Sequence, residues 1–253
     1  MYTDEQFEQL EQEEREITEE AILAMLLILG GVKSDLEKEL RVFYQKYGRD
    51  GVITYSDVRK WTNGKDHRRR ITVLMAFLAD KFDELHLKLN PKFDVFLTKV
   101  IDKEFDFFDV ALDAEDVLNE PWGIDDTTWF ARLADDVDLW KAYVGNDLKR
   151  SFMRRDNIDD VIELLNKRFT SVENVIQKLA MTESTAIGSL ARREIFKEIG
   201  IKKYRYYARD DERRCEVCGS LHGLEFPVSS YEVGVTASPM HPWCRCWEVP
   251  IVD

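Results

Sequence analysis

Four cysteines and two histidines fall within residues 215–246, and their spacing is that of a metal centre. Cys215 and Cys218 form a C-x2-C pair, in which one turn lets two thiolates face a single point. About two dozen residues on, "HPWCRC" brings His241, Cys244 and Cys246. Two such clusters can complete a tetrahedron around zinc. Tetrahedral zinc takes four ligands, so the site residues are four of these five, with His222 a sixth donor nearby. If the stretch around Cys244 and Cys246 is extended, the two side chains point to opposite faces and one alone is a ligand. His241 and Cys244 repeat the two-residue gap, so the leading set is Cys215, Cys218, His241 and Cys244, with Cys246 the substitute. A pair of buried thiols and a disulfide formed after lysis are the other readings. A catalytic zinc would want an open position and a nearby carboxylate, and the chain has no H-E-x-x-H.

Arg213 and Arg214 flank Cys215 and would favour its thiolate. The chain also lacks a phosphate-cradling glycine loop and G-x-S-x-G, so an enzyme reading finds no motif.

These residues sit at the end of a chain that otherwise reads as helices. Its 253 residues carry a net charge of -13, with 44% apolar and 34% charged residues. That suits a folded core and excludes bulk coating of DNA by the whole surface. The acidity is uneven: residues 1–20 hold nine acidic residues and one basic, while residues 201–253 hold eight acidic and seven basic. The apolar run "AILAMLLIL" from Ala21 is far shorter than the ~20 residues that cross a bilayer. With no basic leader before it, no membrane partner and a reducing intracellular compartment are expected.

Spacings of three and four residues predict a helix from about residue 3 to a stop at Gly30-Gly31, and another from Ser34 to Gly48. A third covers residues 71–89. Asn90-Pro91 then reads as a cap that opens a phenylalanine-rich helix. Further helices are expected over about 129–153, 158–169 and 172–199, the last closed by Gly200. "KKYRYYAR", "LEFPVSS" and "CWEVPIV" read as short strands. The fold class is mainly α: a helical N-terminal region, residues 1–175, then a small α+β module, residues 176–253, stapled by zinc. So small a module buries little apolar surface, and a metal would add substantially to its folding.

From about Lys178 onward the sequence resembles the head morphogenesis proteins of tailed bacteriophages, the minor head protein family that includes phage Mu protein F. The residues that carry this are Thr182-Glu183, Gly200 before an aromatic strand, and "DERRCEVC" with Asp211, Arg213, Cys215 and Cys218. "LHGLEF" with Leu221, Gly223 and Phe226 follows, then "PMHPWCRC" with Pro239, His241, Pro242, Cys244, Arg245 and Cys246. The family often has Arg before the Thr-Glu pair, where Met181 stands, and Trp in the strand, where this chain has Tyr206 or Tyr207.

The resemblance implies a minor structural protein of the head. It would associate with the portal vertex inside the capsid and aid assembly and DNA packaging or ejection. It implies portal protein as partner, with major capsid or scaffold protein and packaged DNA as further candidates. The location would be the virion, and the host cytoplasm during assembly. The helical region would supply the docking surfaces, and no turnover is implied. The alternative is an internal or ejected head protein that contacts DNA through a zinc-ribbon-like module. Outside that module, the basic clusters "DHRRR" (residues 66–70) and "KRSFMRR" (residues 149–155) read first as solvated helix ends and otherwise as contacts with packaged DNA or an acidic portal surface. A zinc enzyme or toxin is the third class.

Overall fold

The N-terminal apolar stripe runs Phe7, Leu10, Ile22, Met25, Leu29, Val32, Leu36, Leu40, and every one of these side chains is buried. Its phase never breaks, and the segment folds as one helix, α1 (Asp4–Tyr47). The computed structural model describes residues 3–62 and 68–252. The stop expected at Gly30-Gly31 does not occur. Two glycines cost a helix about 1 kcal/mol each, and apolar burial before and after them outweighs that.

The same physics joins two other expected pairs. Helix α3 (Arg70–Phe108) passes straight through Pro91. The proline removes one helical hydrogen bond, but Leu85, Leu89, Phe93, Phe96, Leu97 and Val100 keep their phase and are buried. Helix α6 (Ile158–Glu198) passes through Thr170 and Ser171. Their hydroxyls donate back to the Asn166 and Lys167 carbonyls at 3.2 and 3.3 Å and so stay within the helix. The remaining helices are α2 (Tyr55–Val58), α4 (Ala114–Leu118), α5 (Trp129–Arg154) and α7 (Glu216–Leu221).

Gly200 ends α6 as expected. Its φ is +76°, the Ile201 N–H bonds the Phe196 carbonyl at 2.8 Å, and the Gly200 N–H bonds the Lys197 carbonyl at 3.2 Å. This is a Schellman motif. The chain then enters β1 (Lys203–Tyr207). With β2 (Glu225–Pro227) and β3 (Trp247–Ile251) it forms an antiparallel sheet of order β2-β1-β3, pairing Tyr204 with Phe226 and Tyr206 with Glu248. The protein is thus mainly helical with a small antiparallel sheet near its C-terminus, as the sequence implies.

The chain divides into two compact units. One comprises Met1–Leu23, Pro91–Arg132 and Gln177–Asp253; the other Ala24–Asn90 and Leu133–Ile176. The second unit packs Phe82 on Phe169, ring centres 6.3 Å apart, and Phe152 on Phe43 and Tyr44. The first packs Phe7 on Phe107 and Phe108, and Phe108 on Phe196. The adjacent phenylalanines 107 and 108 therefore both reach Phe7, with Phe108 the more deeply buried. The first unit holds every cysteine. Among the described residues, no helix is long and apolar enough to cross a membrane.

Candidate metal centre

The C-x2-C pair sits at the start of α7, with Cys215 as its N-cap. The Cys215 sulfur accepts from the Cys218 N–H at 3.3 Å. That turn aims both thiols at the loop leading into β3. There His241 Nδ1–H donates to the Pro242 carbonyl, 2.7 Å away, which turns Nε2 toward Cys218 Sγ at 3.3 Å. Such a bond is how proteins commonly fix the ring of a ligating histidine.

Two groups of donor atoms result, each within 4.8 Å: Cys215, Cys218 and His241, and Cys218, Cys244 and Cys246. Cys218 belongs to both. All four cysteines are free thiols. A tetrahedral zinc about 2.3 Å from each sulfur sets its sulfurs about 3.8 Å apart. Cys218 Sγ and Cys244 Sγ are 3.8 Å apart. The residues present therefore fit a zinc ion in donor type and spacing.

One expectation is corrected. Cys244 and Cys246 do not point to opposite faces, because both thiols approach Cys218. They stand outside the strand: Trp243 has φ +65° and residues 244–246 precede β3. His222 stands apart from both groups. Its Nδ1 accepts from the Ala208 N–H at 3.1 Å and its ring meets Tyr207 edge-on.

Burial sharpens the electrostatics. Cys218, Cys244 and Cys246 are almost wholly buried. Hydrogen bonding from Cys218 and Cys246 pulls the Cys244 thiol well below its usual range. The Tyr206 hydroxyl, itself buried, lies 3.5 Å from Cys218 Sγ and 3.9 Å from Cys244 Sγ. Burial opposes ionisation of Cys215, yet the Cys218 N–H holds its thiol below the usual range; the adjacent arginines are not the cause. Arg214 instead pairs with Asp210 at 2.9 Å.

The motif residues around the thiols hold the loops together. Arg245 grips Asp211 with a two-pronged contact of 2.5 and 2.7 Å, and Asp211 also caps the Arg213 N–H at 2.9 Å. Asp211 is consequently pulled down to about 2, first by the Arg245 hydrogen bonds. Thr182 accepts from the Trp243 N–H at 3.3 Å, and Thr185 donates to the Cys244 carbonyl at 3.0 Å, so α6 anchors the second ligand loop. Glu183, almost fully buried, accepts from Trp122 Nε1 at 2.7 Å and Arg132 Nη1 at 3.0 Å. Arg132 thus supplies a cation to Glu183 although Met181 precedes the Thr-Glu pair. A cavity of about 30 Å³ beside Cys244, lined in part by Arg209, Arg245 and Thr185, has room for little more than a water molecule.

Residues 142–249 match the family described as Phage Mu protein F like protein. The match covers less than half of the chain and includes all five candidate metal-binding residues. It supports recognition of the phage head morphogenesis family, whose members are generally structural. No curated protein and no solved structure matches the chain.

A second buried cluster escaped the sequence reading. Arg192 on α6 lies among the carboxylates of Glu11, Glu14, Glu104 and Glu248. It pairs most closely with Glu11 and Glu104. Glu248 is held further by Ser189 and Tyr231 hydroxyls at 3.1 and 2.9 Å and by the Ser238 N–H at 2.6 Å. Gly188, one turn before Arg192, leaves the room: a Cβ there would meet Glu104 at 3.4 Å and Glu14 at 3.6 Å. A signal existed in the sequence. Glu14 and Glu104 fall on the apolar stripes of α1 and α3, where a carboxylate is out of place.

Proposed function

We propose that this protein is a minor structural component of a phage head, held inside the capsid at the portal vertex, where it aids assembly and DNA packaging or ejection. The family match over residues 142–249 is the observation that carries this reading. The helical region, residues 1–175, would dock on portal, major capsid or scaffold subunits. The module, residues 176–253, would carry one structural zinc, held by four of Cys215, Cys218, His241, Cys244 and Cys246. Bound there, zinc supplies a cross-link. Cys215 and Cys218 would tie the start of α7, and the others the loop before β3. Tyr206 orients a donor toward the thiolates, and Arg245 with Asp211 holds the two loops in register.

Affinity purification of the tagged chain from cells assembling the phage tests the reading. Portal protein in the eluate supports it. An eluate with neither portal nor another head protein overturns it.

A DNA-contacting role is favoured by one observation. Lys149 and Arg150 at the end of α5 are exposed, as is Arg155 beyond it, although Arg154 is taken by Asp156 at 2.5 Å. Of the other basic cluster, Asp66 and His67 lie outside the described residues. Binding to phosphates would fall steeply as salt rises. Portal binding that persists in DNase-treated samples separates the two readings.

A further inference from the structure

The outward face of α1 is apolar where the fold has no use for it. Leu23 is 65% and Leu27 is 79% exposed, and Gly30 and Gly31 follow on the same side. A helix segment apolar on all sides is normally covered on all sides. The two glycines strengthen the point. Apart from the adjoining residues and backbone of α1 itself, no atom of the described residues lies within 4 Å of a Cβ placed at either. Alanine would fit both positions and stabilise the helix by about 1 kcal/mol each. Bare backbone at a surface allows another backbone to approach closely, and among the described residues none does so.

The flanking charges identify the occupant. Going along this face, Glu20 precedes Leu27 by seven residues, two helical turns, and Lys38 follows Gly31 by seven. Glu20 and Lys38 are both exposed, and Lys38 has only a loose contact, 3.9 Å, with Asp35. The face is therefore complementary to its own reverse. We propose that α1 pairs antiparallel with α1 of a second copy of this chain, Leu27 of each seated on Gly30-Gly31 of the other and Glu20 facing Lys38 at both ends. A single register satisfies all four contacts, as a two-fold isologous interface requires. A helix pair of this size buries less than a large obligate interface, so the association is weak. It is independent of the head assignment.

Sedimentation equilibrium of the full chain reads this directly. The wild type should dimerise with a Kd on the order of 10 μM. Leu27→Glu should be monomeric with an unchanged unfolding midpoint, because the side chain touches little of its own fold. Gly31→Leu should weaken the dimer while leaving the monomer as stable or more so, a signature no folding defect gives. Glu20→Lys should weaken it about tenfold, and adding Lys38→Glu should restore it. A chain that stays monomeric to about 100 μM, well above that Kd, overturns the proposal. So does a dimer indifferent to Leu27→Glu and to the charge exchange.

Discussion

Cys218 Sγ lies 3.8 Å from Cys244 Sγ, the separation of two thiolates on one tetrahedral zinc. Protein purified under reducing conditions should carry about one zinc per chain by elemental analysis. Cys218 is common to both donor groups. Cys218→Ser should therefore remove the metal more completely than Cys215→Ser or Cys246→Ser. Hydrogen exchange should then rise across β1, α7 and β3. Metal-free protein with an unchanged exchange pattern would contradict this.

Asp211 and Arg245 act on the centre through the loops they join. Asp211→Asn should leave the ligand set intact yet weaken zinc retention about 10–100-fold in chelator competition, the usual effect of loosening outer partners. The contact also has a pH signature. Arg245 holds Asp211 depressed to about 2, so its contribution is full above the ordinary carboxylate range, near 4, and fades as pH falls from there toward 2. Zinc loss at pH 4–5 would come instead from protonation of the ligands themselves. Equal zinc retention in Asp211→Asn and the wild type would show that the pair positions nothing.

Glu183 is a buried carboxylate whose partners are Trp122 and Arg132. Glu183→Ala leaves the Trp122 N–H unpaired and takes one of two carboxylates from Arg132, which keeps Asp125 at 2.7 Å, and should cost about 1–3 kcal/mol in urea unfolding. Trp122 reports it independently, because loss of the indole N–H bond changes its emission. Glu183→Gln keeps the Trp122 bond and should cost less.

The Arg192 cluster predicts a pH dependence of opposite sign. Glu11 is pushed up to about 7 by burial, against the pull of Arg192, and Glu14 well up by burial and by Glu104 and Glu11. Carboxyls raised in the folded state bind more protons there than in the unfolded chain. Between about 4.5 and 7 unfolding free energy should thus fall as pH rises. Glu14→Gln should flatten that slope and stabilise the protein at pH 8. Arg192→Met removes the cation that pairs with four carboxyls and should cost about 3–5 kcal/mol at neutral pH. A stability profile that rises through this window would refute the assignment.

Most of the architecture was legible because period and punctuation agreed. The three strands, the Gly200 stop and α5 stand where the residues put them. The long helices depart from expectation in one way. Gly30-Gly31, Asn90-Pro91 and Thr170-Ser171 read locally as breaks, yet each lies inside a helix whose apolar phase runs on unchanged. Local propensity is worth about 1 kcal/mol per glycine, and burial of a long stripe is worth more. The candidate donors could be read from type and spacing, and the fold brings them together in two groups that share Cys218. The convergence of Cys244 and Cys246 could not, since it follows from the turn at Trp243. Nor could the company of Arg192: its four partners lie 56 to 181 positions away, and no local pattern couples them. Glu14 and Glu104, polar on apolar stripes, were the visible trace.

The central claim is that this chain is built into a phage head. Quantitative mass spectrometry of purified heads, before and after DNA filling, tests it most directly. The account predicts the protein at a few copies per particle, in proportion to portal and retained after nuclease treatment. Purified heads that lack it at both stages would contradict the account.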